Sequence, residues 1–346
     1  MSLAQLSKAV LRSPAQVAAS LPALMGFTPA ESLVVVMTKS GEIEVTMRID
    51  LPEDWNEAAH HVADTAARIG VDGAILAVCT DHESGWAVNS AGVGRTMELL
   101  SQAGVNVADA LLIRGNRFWS FLHDDVASLG AVFFVEDSPL PQPVEESRED
   151  ISARYAPRPS QIPSEAAYAA AQGHVNGSRL DVALRAREAL DELSEQQRIG
   201  VNCGADLLRA TIQLALQNVT VRDWLLANVV ADEDQRALAE ALADVALTAT
   251  SDLAPRACGA AAAALAATSA STIPAGCLAD QAGEDSLADV TYRAISGGIN
   301  PEQIQLMLAG ALPELDEAIR KEETPDDATH QDEGGDADTG NTRRVS

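Results

Sequence analysis

Hydrophobic residues along the first 138 positions fall into two textures. Leu33 to Met37 is an unbroken apolar run, mostly β-branched, which suits a strand covered on both faces. Glu42 to Asp50 alternates instead, with Ile43, Val45, Met47 and Ile49 on one side, and predicts a half-exposed strand. Lys39, Ser40 and Gly41 between them make a hairpin turn. Ahead of this pair, Val17, Leu21 and Leu24 recur at helical spacing after Ser13, a good N-cap, and Pro14, suited to the first turn. Pro22 should kink or shorten that helix, Gly26 should end it, and Thr28 with Pro29 should keep the next residues out of it.

Further along, Asp54 to Gly70 reads as a helix with Ala58, Val62, Thr65, Ala66 and Ile69 inward, and Gly73 to Thr80 as another apolar strand. A helix from about Gly94 to Ala103 comes next. Ala108–Arg114 and Arg117–Leu122 then form a hairpin across Gly115 and Asn116, with a short strand expected at Val132–Val135. The order predicts one mixed sheet with helices packed on it over residues 1–138, an α+β or mixed α/β arrangement.

Residues 139–163 hold six of the fifteen prolines among several charges, a linker composition. Beyond them alanine and leucine dominate. Helices are predicted at about 164–174, 179–194, 204–218, 221–230, 233–249, 254–268, 285–297 and 301–321. Short links between them point to an all-α antiparallel array over 164–321. No fixed period marks a repeat protein. The acidic, apolar-poor stretch 322–346 has the composition of a disordered tail.

Charge narrows the possible partners. Against 24 basic residues stand 51 acidic ones, a formal net charge of −27, and no region is basic, so direct nucleic-acid binding is not expected. Cys79, Cys203, Cys258 and Cys277 have no CxxC spacing, and neither a zinc site nor a disulfide framework is implied. The first 25 residues lack the form of a secretion signal, and no apolar run reaches the ~18 residues of a membrane span; Gly259–Thr268 is alanine-rich and too short. A cytoplasmic location without membrane contact is the simplest expectation.

No catalytic constellation emerges. Asp81 and His82 come after the central strand at its carboxyl end, where open α/β sheets place ligands. Asn89–Thr96, with two glycines and Arg95, reads as the start of a helix that could present N–H groups to an anion, but it lacks the lysine of a phosphate loop and the third glycine of a dinucleotide fingerprint. Arg114, Arg117 and Trp119 with Phe118 and Phe121 form the densest basic and aromatic cluster. Alternation sends Arg117, Trp119 and Phe121 to one face and Phe118 and Ser120 to the other. Arg48 and Asp50 share the polar face of their strand, and Glu31 and Ser32 stand at the mouth of the buried one. His123, Asp124 and Asp125 are a seed for a metal site without the spaced partners a metal needs. No cofactor is implied.

The segment Pro22 to Val36, PALMGFTPAESLVVV, with Arg48, Asp50, Leu51 and Pro52 after it, resembles the hallmark of the actinobacterial domain of unknown function numbered 4192. Ala110–Ser120, Val221-Arg222-Asp223 and Ser286–Pro301 resemble further signatures of that family, so the resemblance spans about residues 10–312. It implies a bacterial or phage cytoplasmic setting and no established activity. Relatives are expected to carry cysteines and a proline after the Trp-Ser segment; here Leu122, His123, Asp124 and Asp125 stand there instead, so no thiol or metal role is carried over.

These readings point to a binding or regulatory module that holds a small ligand or a protein partner. An alternative is a hydrolase or transferase using the polar groups at the sheet's carboxyl edge. A phage-related structural or assembly role is the third.

Overall fold

The structure is a computed structural model that describes residues 11–122, 130–140, 147–269, 272–296, 299 and 301–321. The acidic stretch 322–346 and the His123, Asp124 and Asp125 triplet lie outside the described residues.

Helix α1 (Pro14–Met25) starts as its sequence requires. The Ser13 side chain accepts from the Gln16 N–H, and Gly26 closes the helix at φ 77°. The helix runs through Pro22 rather than stopping there. Strands β1 (Ser32–Lys39) and β2 (Glu42–Asp50) form the expected hairpin, with Ser40 and Gly41 both at positive φ in its turn. Helix α2 (Trp55–Ile69) is capped by Asp54 and ended by Gly70. β3 (Gly73–Cys79), α3 (Gly85–Gln102) and β4 (Asn106–Arg114) make a parallel strand crossover, and β5 (Arg117–Ser120) and β6 (Ala131–Val132) complete a mixed sheet in the order β2-β1-β3-β4-β5-β6.

β1 is the buried axis of this half, with Leu33 to Met37 fully inaccessible. Alternate residues serve two cores. Leu33, Val35, Met37, Leu76 and Val78 pack under α2 and α3, while Val34, Val36, Ala77 and Cys79 pack under α1. One alternation breaks: a bulge beside Met37 and Thr38 pairs Ile43 with Thr38 and Val45 with Met37, leaving Glu44 between them. Ile43 therefore joins the α1 side, while Val45, Met47 and Ile49 serve the other, which corrects the single face expected from period two.

Helix α3 also departs from expectation. It begins at Gly85, nine residues before the predicted start, without a side-chain cap from Ser84, so its start signal is poor. Asn89–Thr96 therefore lies inside the helix, and its N–H groups are engaged in the helix ladder rather than offered to an anion. Gly92 is needed for packing, because a Cβ there would collide with the Trp55 ring of α2.

The remaining helices are α4 (Arg148–Arg154), α5 (Glu165–Val175), α6 (Arg179–Ile199), α7 (Ala205–Ala215), α8 (Val219–Ala231), α9 (Gln235–Leu247), α10 (Ala254–Thr268), α11 (Ile273–Ala282), α12 (Ser286–Ser296), α13 (Pro301–Gly310) and α14 (Leu312–Arg320). α10 is the buried spine, packed against α8, α9, α11, α12 and α13. Its alanines are small enough for neighbours to approach closely, which explains the long run Ala260–Ala264 at the centre of the helical core. Among the described residues no helix is long and apolar enough to span a membrane. Helix α11 was not among the helices expected from the sequence; Pro274 sits in its first turn, where no amide donor is missed.

The two halves are not joined by a bare connector. Leu140 is buried in the sheet core under α1, whereas Ile151 and Tyr155, from the proline-rich stretch, are buried among the helices. Phe27, immediately after α1, is 1% exposed and belongs to the helical core as well. The sheet half thus sends one large side chain into its neighbour.

Candidate functional site

Two consequences of the chain order meet at the carboxyl ends of β3 and β4. Parallel pairing puts Cys79 level with Ile113, and the Thr80 N–H donates to the Ile113 carbonyl at 3.1 Å. The antiparallel hairpin brings the start of β1 and the end of β2 to the same edge, with Ser32 opposite both Cys79 and Asp50. Glu31, Ser32, Arg48, Asp50 and Asp81, far apart in sequence, therefore share one edge of the sheet.

Glu31 is held in the left-handed region at φ 41°, uncommon for a residue with a side chain. Its carboxylate accepts the Thr80 hydroxyl at 2.9 Å and the Asp81 N–H at 3.0 Å, while its carbonyl accepts the Leu51 N–H at 3.0 Å. A conformation of this kind costs about 1–3 kcal/mol, and these charge-assisted bonds are what fix it. Arg48 pairs with Asp50 at 2.7 Å and donates to the Ala30 carbonyl at 3.3 Å, and Arg148 of α4 reaches Asp50 at 3.1 Å. Partial burial pushes the Asp50 carboxyl up, but Arg48 and then Arg148 outweigh it and hold it below the ordinary aspartate range. Two polar atoms here have no hydrogen-bond partner among the described residues: Ser32 Oγ and Arg48 Nε.

Beside this edge lies a cavity of about 580 Å³, within the range of small-molecule sites. Ala18, Leu21 and Pro22 of α1 form one wall, and Thr28, Pro29 and Ala30 form the next. Cys79, Thr80 and Asp81 continue it, with Ile113, Gly115 and Asn116 beyond, and Phe133 to Glu136 close the far side. The short helical turn Val135–Asp137 packs against α1, and Phe134 and Val135 stand exposed at the rim. Burial, with Glu31 adding to it and Arg48 opposing it, pushes the Cys79 thiol up to about 12, so it stays protonated.

The other candidates are elsewhere. His82 is exposed, its N–H bound to Thr80 Oγ1, and does not line the cavity. Arg114 and Trp119 lie on the opposite face of the sheet, with the guanidinium 5.4 Å from the indole centre. Arg117 donates to the Gly130 carbonyl, and Gly130 leaves room for Trp119 where a Cβ would collide. Trp119 and Phe121 pack under α2 and α3, with Phe121 stacked on Trp86 at 4.2 Å, and Phe118 faces α1 beside Phe133, as alternation requires. Among the described residues no three His, Cys, Asp or Glu side chains gather as metal ligands would.

Sequence reasoning missed the cavity walls at Ala18, Pro22, Ala30, Asn116 and Phe133–Glu136. Five separate segments form the cavity; Pro22, Thr28, Pro29 and Ala30 fall within one motif and Ile113, Gly115 and Asn116 within another, and nothing in either motif marks the two as neighbours.

An α/β half with an open pocket at its carboxyl edge, leading into a packed helical array, is the class of protein these features define. Residues 14–289 match the family model of a domain of unknown function, DUF4192, and the chain belongs to that family. The match ends within α12, so most of the Ser286–Pro301 segment lies beyond it. No curated protein and no solved structure matches the chain.

Proposed function

We propose that this protein is a non-catalytic binding module whose α/β half takes a small ligand in the carboxyl-edge cavity and whose helical half responds to it. One observation carries the reading: five consecutive residues join cavity and helices. Phe27 is buried in the helical core, Thr28, Pro29 and Ala30 line the cavity, and Glu31 grips Thr80 and Asp81 at its lip. A ligand that moves residues 28–30 also pulls on Phe27, because a packed core resists small displacements of a large ring. The four cysteines are all free thiols, two of them buried, which suits a reducing, cytoplasmic setting.

The test is a ligand-observed NMR screen of small apolar compounds against the wild type and Ala30→Trp. Ala30 is exposed at the cavity wall, so a large ring there blocks the space without entering a core. The expected result is a set of mutually competing binders that the variant loses while keeping its melting temperature. Binders indifferent to Ala30→Trp, or none at all, would remove the support for this reading.

A further inference from the structure

The polar groups around the cavity are not balanced. Among the described residues no Lys, Arg or His lines it, whereas Asp81 and Glu136 do. Both are exposed, and among the described residues neither carboxylate has an ion pair or hydrogen bond. Every nearby guanidinium is committed elsewhere. Arg48 and Arg148 hold Asp50, Arg114 lies over Trp119 on the other face, and Arg117 is turned to the Gly130 carbonyl.

Helix α1 adds a third acceptor. Pro22 has no N–H to give to the Ala18 carbonyl four residues before it, and both residues line the cavity. The wall of α1 thus includes a residue whose carbonyl lacks its helical donor, and Leu21, Ile113 and Phe133 of the same cavity are apolar. A site with acceptors at its wall and mouth, an apolar body and no cation favours a ligand that brings both donors and positive charge. It disfavours phosphates and carboxylates, whose charge would meet Asp81 and Glu136 unscreened by any basic group.

We infer that the cavity binds an organic cation: an apolar, ring-sized body bearing a protonated amine, seated with the amine between Asp81 and Glu136. This rests on the cavity's being a ligand site, and the experiment separates the two claims. Isothermal titration of the full chain with naphthylethylamine, naphthylethanol and naphthylpropionate compares cation, neutral and anion on one body. The amine is expected to bind at least about tenfold tighter than the alcohol, with the propionate weakest, and added salt should narrow the gap. In the double variant Asp81→Asn with Glu136→Gln, amine and alcohol should bind alike. Both changes keep the backbone, including the Asp81 N–H that Glu31 accepts.

Equal affinities for the three probes in the wild type, or a preference for the amine that survives the double variant, would overturn the charge assignment and leave the cavity as a site. Compounds other than amines that bind, compete with one another and are lost in Ala30→Trp, while all three probes fail, would overturn it in the same way. Silence from every compound would overturn both.

Discussion

Arg48 and Arg222 both lie in segments that resemble family signatures, and the structure gives them opposite surroundings. Arg222, in α8, is 5% exposed and ties Asp223 at 2.8 Å to Asp285 at 3.4 Å. Asp285 also caps α12 by accepting the Leu287 and Ala288 N–H groups, and α10 carries Gly259 where any Cβ would meet that carboxylate. Each group in that cluster is spoken for. Arg48, in β2, pairs with an Asp50 whose side chain is 70% exposed, leaves its Nε unpartnered and sits beside a cavity. The Arg222 cluster closes its polar groups on one another, and the Arg48 cluster leaves one open. A closed cluster is the mark of architecture, and an open one beside a cavity is where binding is sought.

That contrast predicts unequal costs. Arg222→Ala should destabilise the protein by about 3–5 kcal/mol, because it leaves Asp285 charged and largely buried. Arg48→Ala should cost only about 1 kcal/mol, since Asp50 keeps Arg148 and water. Urea denaturation of both variants measures this, and equal losses would erase the distinction.

Glu31 separates strain from grip. Glu31→Gly relieves the positive φ but drops the carboxylate, whereas Glu31→Ala drops the carboxylate and keeps the strain. The alanine variant should be less stable than the glycine variant by about 1 kcal/mol, by thermal or urea unfolding. Equality would mean that the backbone there relaxes freely.

The smallest effect concerns pH. The folded carboxyl of Asp50 lies below its unfolded value of roughly 3.9. Its contribution is therefore present above that pH and lost as the pH falls through the folded pKa. The stability gap between wild type and Asp50→Asn should hold at pH 6 and shrink below about pH 4, where the ordinary carboxyl begins to protonate. Given the exposure of Asp50 the gap is small at any pH, and a gap that widened on acidification would contradict the ion pair.

Much of the scaffold was legible because local chemistry fixes it. Ser13 with Pro14, Asp54, Gly70, the Gly115-Asn116 turn and the run Leu33–Met37 each settled an element where it stands. Starts without such markers were missed, as at Gly85 and Ile273. Among site residues, the sequence placed Glu31 at the mouth of the buried strand, and its carboxylate holds Thr80 and Asp81 there. Arg114 and Trp119 stood out for their density, and they lie against each other on the face of the sheet away from the cavity. Phe27 was invisible as a link, since a phenylalanine beside a glycine turn gives no sign that its pocket is built by residues more than a hundred positions away.

Residues 27–31 must act as one unit if the cavity is to speak to the helices, and a double-mutant cycle tests that coupling. Phe27→Leu and Glu31→Gln alter its two ends, one in the helical core and one at the cavity lip, and the unfolding free energies of both singles and the double are measured in urea. A coupling of about 1 kcal/mol or more is expected. Additivity within about 0.3–0.5 kcal/mol, the behaviour of independent sites, would contradict it.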